Sequence, residues 1–446
     1  MHTYTEMTLK FLQDLIRIDT TNPPGNELGA ATYVADVLRS HGIEAMVLES
    51  APQRGNVVAR LRGDGSARPL LLMSHLDVVP ADPQGWDHPP FAAHVADGYI
   101  WGRGSTDTKQ LTAMQMTTMI ALTQEQIPLA RDVILVASAD EEVGGAMGMK
   151  WLVDQHWELI EAQYAINEGG GFGLRFGGGN FYLCQTGEKG ICWMRFTTTG
   201  KAGHGAMPGE DNAVIKLATA LQQLSRVQLP QHRTRTVVKL VRALAAALPF
   251  PRLSVLPLAL NGILERVVLS SIGGESEIAT LLRSTLRNTV AATVLSAGSK
   301  TNVIPAEATA HVDGRLMPDQ SPDDLLREIR PYIGPDVQID FLETSAGYES
   351  DPESALFECF QQVLVQHDPG SKLLPYIVPG GTDGRFLAER GVKVYGFSPS
   401  RYEPGWNALA QAHAQNERLS LANLEFGTDV LRDVVCTFCR AASSIR

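Results

Sequence analysis

An α/β domain interrupted by an inserted α+β domain is the architecture predicted by three patterns in the sequence. Apolar residues at helical spacing alternate with short apolar runs rich in Leu, Val and Ile before residue 188. Histidine and carboxylate residues stand directly beyond several of those runs. Residues 306–315 instead alternate strictly between apolar and polar, a pattern of a different kind of sheet.

Taken in order, Leu9, Leu12, Leu15 and Ile16 share one helical face, as do Ala31, Val34, Ala35 and Leu38. Residues 44–48, 56–61, 69–73 and 133–137 read as buried strands, the last between helical stretches at 111–123 and 147–156. Such alternation implies a sheet with helices on both faces, and in such sheets functional groups collect where strands end. The pattern changes near residue 188. Residues 191–199 read as a strand, and 211–227 as a helix with Val214, Leu217, Leu221 and Leu224 on one face. In the alternating segment, Ala306, Ala308, Ala310 and Val312 oppose Thr309, His311, Asp313 and Arg315, as in an antiparallel sheet with one polar face. The inserted domain is therefore placed at 189–316, and 1–188 with 317–446 form one discontinuous domain. Within the insert, 228–290 is a helical apolar insertion: Val237, Leu240, Val241 and Leu244 precede a proline-containing apolar stretch at 248–264. It either buries its own apolar face or offers a subunit interface or a cover for an apolar substrate chain.

The 446 residues are 44% hydrophobic and 20% charged, the composition of an ordinary globular chain. Lys and Arg total 38 against 49 Asp and Glu, a net charge of −11 that argues against nucleic acid or an anionic membrane as partner. Five cysteines, Cys184, Cys192, Cys359, Cys436 and Cys439, form no disulfide framework and fit a reducing compartment. The Cys436-x-x-Cys439 pair reads as core packing. Glu6, Lys10, Asp14 and Arg17 interrupt the apolar residues before Asp19, unlike a secretory leader, and no apolar run approaches the ~20 residues of a membrane span. A cytoplasmic protein is expected.

The chemistry lies in a dispersed set. His75 and Asp77 sit two apart, so on an extended segment both face one side, and the acid can hold the second ring nitrogen of a metal-binding histidine. Asp107 stands in Gly-Arg-Gly-Ser-Thr-Asp-Thr-Lys, whose glycines and lysine do not fit a phosphate-binding loop. Asp140, Glu141 and Glu142 follow an apolar run, and adjacent acids there repel one another unless cations or solvent compensate. One carboxylate could serve a metal and another a proton. Glu168 precedes three glycines, and His413 lies near the end. Two imidazoles and several carboxylates suit a pair of zinc ions and a water for hydrolysis.

Ser-His-Leu-Asp-Val-Val-Pro, Gly-Arg-Gly-Ser-Thr-Asp-Thr-Lys, Ala-Asp-Glu-Glu-Val-Gly-Gly and Asn-Glu-Gly-Gly resemble the dinuclear zinc aminoacylase/carboxypeptidase family. That family includes acetylornithine deacetylase, succinyl-diaminopimelate desuccinylase and glutamate and Gly-X carboxypeptidases. The resemblance implies a zinc-peptidase-like catalytic domain, with a mixed sheet and flanking helices, and an inserted lid or dimerisation domain. It implies that His75, Asp107 and Glu168 hold one zinc, that Asp107, Glu142 and His413 hold the other, and that a cis peptide follows Asp107. Co2+ or Mn2+ are possible substitutes. Glu141 matches the general base, Asp77 the acid behind His75, and His413 lies in His-Ala-Gln-Asn-Glu, close to the family's His-x-x-Asn-Glu.

In Gly-His-Gly-Ala-Met-Pro, His204 matches a histidine that reaches a neighbouring subunit's site to stabilise an oxyanion, so a homodimer is implied. Asn302 and Arg315 match substrate-holding positions, while Gly381, Thr382 and Arg385 match a loop shaping a carboxylate pocket. A guanidinium grips a carboxylate bidentately, so Arg315 or Arg385 is the expected anchor. The expected reaction is hydrolysis of the amide bond of an N-acyl amino acid or short peptide with a free carboxylate. The alternatives are an aminopeptidase recognising a free amino terminus and a non-catalytic relative that binds metal or acyl amino acids. No nucleic-acid or membrane partner is expected.

Overall fold

The computed structural model describes residues 3–247, 255–271 and 277–441. The chain divides into two units: residues 1–186, 350–375 and 382–446, and residues 187–349 with 376–381.

In the first unit a mixed sheet runs in the order Glu44–Ala51, Arg54–Leu61, Val133–Ser138, Leu70–His75, Tyr164–Asn167, Lys393–Gly396, Gly179–Glu188. Its centre is parallel: Leu70–His75 lies between Val133–Ser138 and Tyr164–Asn167, with His75 opposite Ser138. Leu70 and Leu72 enter the main core cluster, while Leu71 and Met73 are equally buried outside it, so both faces of this strand are covered. A continuous apolar run is what such a strand requires. Burial of each of these side chains contributes about 1.5–3 kcal/mol, so core packing, and not the polar groups beyond, fixes where the strands end.

The helix Lys109–Gln124 is buried from Lys109 to Leu122 and packs against Thr3–Arg17 and Leu421–Cys439. Leu28–Ser40 covers the strands Glu44–Ala51 and Arg54–Leu61. All five cysteines are unpaired, and Cys439 is fully buried beside Cys436, as packing residues. A small sheet joins His94–Ala96, Tyr99–Trp101 and Arg418–Ser420, with Trp101 opposite Arg418. This pairing brings a segment near the chain's end beside the loop that carries Asp107.

The second unit is built on an antiparallel sheet in the order Thr289–Ala297, Glu307–Leu316, Gly190–Thr199, Gln338–Thr344. Ala308, Ala310 and Val312 point into a core with Met194, Phe196, Leu217 and Leu325, as the period-two alternation requires, whereas Ala306, expected on the same face, is exposed just before the strand begins at Glu307. The helix Ala213–Ser225 begins at Asn212, whose side chain accepts from the Val214 and Ile215 amides. Pro322–Ile333 begins with a reciprocal Ser321–Asp324 capping box.

This unit extends to Glu349, beyond the boundary of 316 expected from the sequence. The reason is that Gln338–Thr344 pairs with Gly190–Thr199, and Leu325, Ile329 and Ile333 complete the same core. In the helical insertion, Val237, Leu240, Val241 and Leu244 are all buried, as its amphipathic spacing requires. Residues 248–254 of the expected apolar stretch lie outside the described residues. Among the described residues no helix is long and apolar enough to cross a membrane.

Candidate functional site

The three central parallel strands of the first unit deliver their acids and histidine at one edge. His75 ends one strand, Glu141 and Glu142 come three and four residues after Val133–Ser138, and Glu168 follows Tyr164–Asn167 directly. This is the carboxyl edge at which open α/β sheets bind ligands.

His75 is buried, and its Nδ1 lies 3.0 Å from the carbonyl oxygen of Asp77 and 3.5 Å from its carboxylate. A neutral ring therefore keeps its proton on Nδ1, donating it to that carbonyl, and turns Nε2 towards the acids. Nε2 lies 3.3 Å from Asp107 Oδ1 and 3.6 Å from Glu168 Oε1. On the other side of Asp107, Oδ2 lies 3.2 Å from His413 Nε2, which is also 3.1 Å from Glu142 Oε2. Asp107 thus stands between the two imidazoles. Ligand atoms of His75, Asp107 and Glu142 lie within 4.8 Å of one another, as do those of His75, Glu141 and Glu168. The peptide between Asp107 and Thr108 is cis.

Asp77 does more than face His75. Its Oδ1 accepts from the Glu141 amide and its Oδ2 from the Glu142 amide, both at 3.1 Å, while Asn22 Nδ2 donates to Oδ2 at 2.8 Å. One buried carboxylate therefore fixes both the histidine and the turn that carries two acids. Behind that turn, Asp140 adopts a left-handed conformation (φ 74°) and accepts from Arg54 at 2.6 Å and from the Met147 amide at 2.9 Å. Arg54 also donates to the buried Glu27.

Electrostatics here favour a cation. Five carboxylates (Asp77, Asp107, Glu141, Glu142, Glu168) face two imidazoles. Like charges about 4 Å apart repel by roughly 4 kcal/mol at an effective dielectric near 20. Burial pushes Glu141 well above the ordinary carboxylate range, and neighbouring Glu168 adds to the shift. Burial likewise raises Glu168. Burial opposes ionisation of Asp107 too, yet hydrogen bonds from His413 and His75 hold its pKa below the usual value. The hydrogen bonds of Asp107 and Glu142 lift His413 to about 10. Glu142 Oε1 is buried without a hydrogen-bond partner among the described residues. Imidazole and carboxylate donors with an orphaned carboxylate oxygen are a set that suits divalent metal, which would displace the protons these shifts retain.

The sequence patterns assign no role to Glu417, the last residue of His-Ala-Gln-Asn-Glu. Its carboxylate is fully buried and accepts from Arg103 at 2.7 Å, the Gly104 amide at 3.0 Å, the Thr106 amide at 2.7 Å, the Thr106 hydroxyl at 2.8 Å and the Asp107 amide at 3.1 Å. Arg103 also donates to the His413 carbonyl at 3.3 Å. Asn416 ties the same segment to Asp87, accepting from its amide at 2.8 Å. The spacing His413-x-x-Asn416-Glu417 thus has a physical cause: the histidine faces the acids while the next two polar residues lock its loop. Asn22 and Asp383 were also missed. Asp383 is buried, accepts from Ser138 at 3.0 Å, and is pushed up to about 7 by that burial.

Of the expected substrate residues, Thr382 and Arg385 lie in the first unit. Thr382 Oγ1 accepts from Asn167 at 3.0 Å. Arg385 is buried and donates to the Gly144 carbonyl, just beyond Glu142, at 3.0 Å. Gly381, His204, Asn302 and Arg315 belong to the second unit. There His204 pairs with Val303 across two short strands, and the Gly205 amide donates to the Asn302 carbonyl. Asp313 occupies the fork of Arg315 through both of its oxygens.

Residues 71–437 match the family model described as Peptidase family M20/M25/M40. Aminoacylase-1 of Sus scrofa is 28% identical over 437 residues, covering 95% of this chain and 93% of that protein. The Homo sapiens N-fatty-acyl-amino acid synthase/hydrolase PM20D1 is 29% identical over 376 residues, covering 81% of this chain and 72% of that protein. Among solved structures, the M20 family metallo-carboxypeptidase Sso-CP2 of Sulfolobus solfataricus shares the fold, with a TM-score of 0.69 at 15% identity over 96% of this chain and 98% of that one.

Proposed function

Because the chain belongs to peptidase family M20/M25/M40, we propose that it hydrolyses the amide bond of N-acyl amino acids or short peptides that carry a free carboxylate, using two zinc ions. The observation that carries this reading is the placement of Asp107 between His75 and His413, with Glu142 and Glu168 completing the two sides. His75, Asp107 and Glu168 would hold one ion, and Asp107, Glu142 and His413 the other. Zinc bound there would polarise the amide carbonyl and lower the pKa of water.

The chain's own residues do the rest. Glu141 takes the proton of the attacking water and returns it to the leaving amine, a role its burial suits by keeping its proton affinity high. Asp77 holds the amides of Glu141 and Glu142, so base and ligand keep a fixed separation. Arg385, with one donor on the Gly144 carbonyl and others in its fork, is the proposed anchor for the substrate carboxylate. The likeness to aminoacylase-1 over nearly the whole chain supports acyl amino acids as the substrate class.

Comparing kcat/KM for an N-blocked dipeptide with that for its C-amide, on zinc-loaded protein, tests the substrate assignment. The free carboxylate should be favoured at least about tenfold, the equivalent of ~1.4 kcal/mol for one charge-assisted contact. Preference for a C-amidated peptide with a free amino terminus would establish the aminopeptidase reading instead.

A further inference from the structure

A cleft of about 520 Å³ opens in the helical insertion of the second unit, lined by Arg226, Arg266, Arg283 and Arg287 together with Glu265 and Ser270. Its size is that of a small-molecule site. The four guanidinium groups come from three places in the chain. Arg226 follows the end of Ala213–Ser225, and Arg266 lies one turn before Ser270 on Glu265–Ser271. Arg283 occupies the last turn of Glu277–Thr285, and Arg287 comes just after it.

Glu265 is buried and already engaged: it pairs with Arg287 and accepts from Gln231 Nε2 at 2.5 Å. Among the described residues no carboxylate pairs with Arg226, Arg266 or Arg283. Arg287 itself is only 9% exposed, and its Nε is buried without a partner. In a chain of net charge −11, such a convergence of cations runs against the overall balance.

Like charges gathered around one concave space repel unless an anion joins them. A guanidinium offers a planar fork that matches the oxygens of phosphate or carboxylate. A phosphate monoester brings a charge of about −1.5 to −2 and three acceptor oxygens near neutral pH, enough to engage several forks where one carboxylate engages one. We infer that this cleft binds a phosphate-bearing small molecule, through Arg226, Arg266 and Arg283, with Ser270 as a neutral donor and the Arg287–Glu265 pair as its floor.

Calorimetric titration of the intact, zinc-loaded chain with inorganic phosphate in low-salt buffer tests this. The wild type should show one saturable site, weakened by added chloride. The double variant Arg266→Gln/Arg283→Gln should bind at least tenfold more weakly. Arg226→Gln, exposed at a helix end, gives a second variant with the same expected direction if the double variant does not fold. Glycerol 3-phosphate and phosphatidylcholine vesicles containing phosphatidic acid, run in parallel, distinguish a free from a lipid-borne phosphate by which of them shows the same arginine dependence. Absence of phosphate binding, binding equal in wild type and variants, or binding abolished by removing metal but untouched by the arginine substitutions would each overturn the inference. The last two outcomes would leave the amidohydrolase reading intact.

Discussion

Glu141→Gln should lower turnover by about 10²–10⁴-fold while metal content and unfolding midpoint stay at the wild-type level. The substitution removes a proton acceptor without changing the side chain's shape. The backbone of residue 141 would keep its place, because Asp77 Oδ1 accepts from its amide and not from its carboxyl. Glu141 also belongs to a group of ligand atoms, with His75 and Glu168, close enough to share an ion. Metal analysis therefore separates two roles that geometry alone brings near each other. Loss of a metal equivalent on Glu141→Gln would make residue 141 a ligand and remove it as the base. Retained metal with lost turnover assigns it the proton.

Glu417→Ala should be costly in a different way, reducing stability by about 3–5 kcal/mol and metal affinity by about 10–100-fold. Five donors converge on this buried carboxylate, and three of them are backbone amides of the loop that presents Asp107. Truncation leaves the guanidinium of Arg103, itself buried, without its 2.7 Å partner. It also frees the Asp107 amide and the segment that carries His413. Denaturant unfolding with a metal titration on the same preparation checks both effects. Stability within about 1 kcal/mol of wild type and unchanged affinity would show that Glu417 is not what holds the loop.

Much of this was legible in the sequence. Strand ends were readable to within two residues because buried parallel strands demand apolar runs, and Leu70–His75 and Val133–Ser138 run only one or two buried polar residues past theirs. The alternation in Glu307–Leu316 fixed the other sheet type for the same physical reason. What the sequence could not show was support that depends on tertiary proximity. Asn22 reaches Asp77 across fifty-five positions and carries no periodic or motif signal of its own. Glu417 did carry one, as the acid four residues beyond His413 in His-x-x-Asn-Glu, but only the hydrogen bonds it accepts from Arg103 and from the amides of Gly104, Thr106 and Asp107 show what it holds. The end of the inserted unit was misplaced because Gln338–Thr344 is an exposed edge strand with little apolar patterning.

Metal-dependent amide hydrolysis is proposed to centre on Asp107 and its neighbours. Hydrolysis of an N-acyl amino acid and bound zinc, followed together while chelator-stripped protein is titrated with zinc, tests that most directly. Activity should vanish on stripping and return as zinc approaches two equivalents per chain, with Asp107→Ala unable to recover it. Undiminished hydrolysis by stripped protein, or full recovery in Asp107→Ala, would contradict the account.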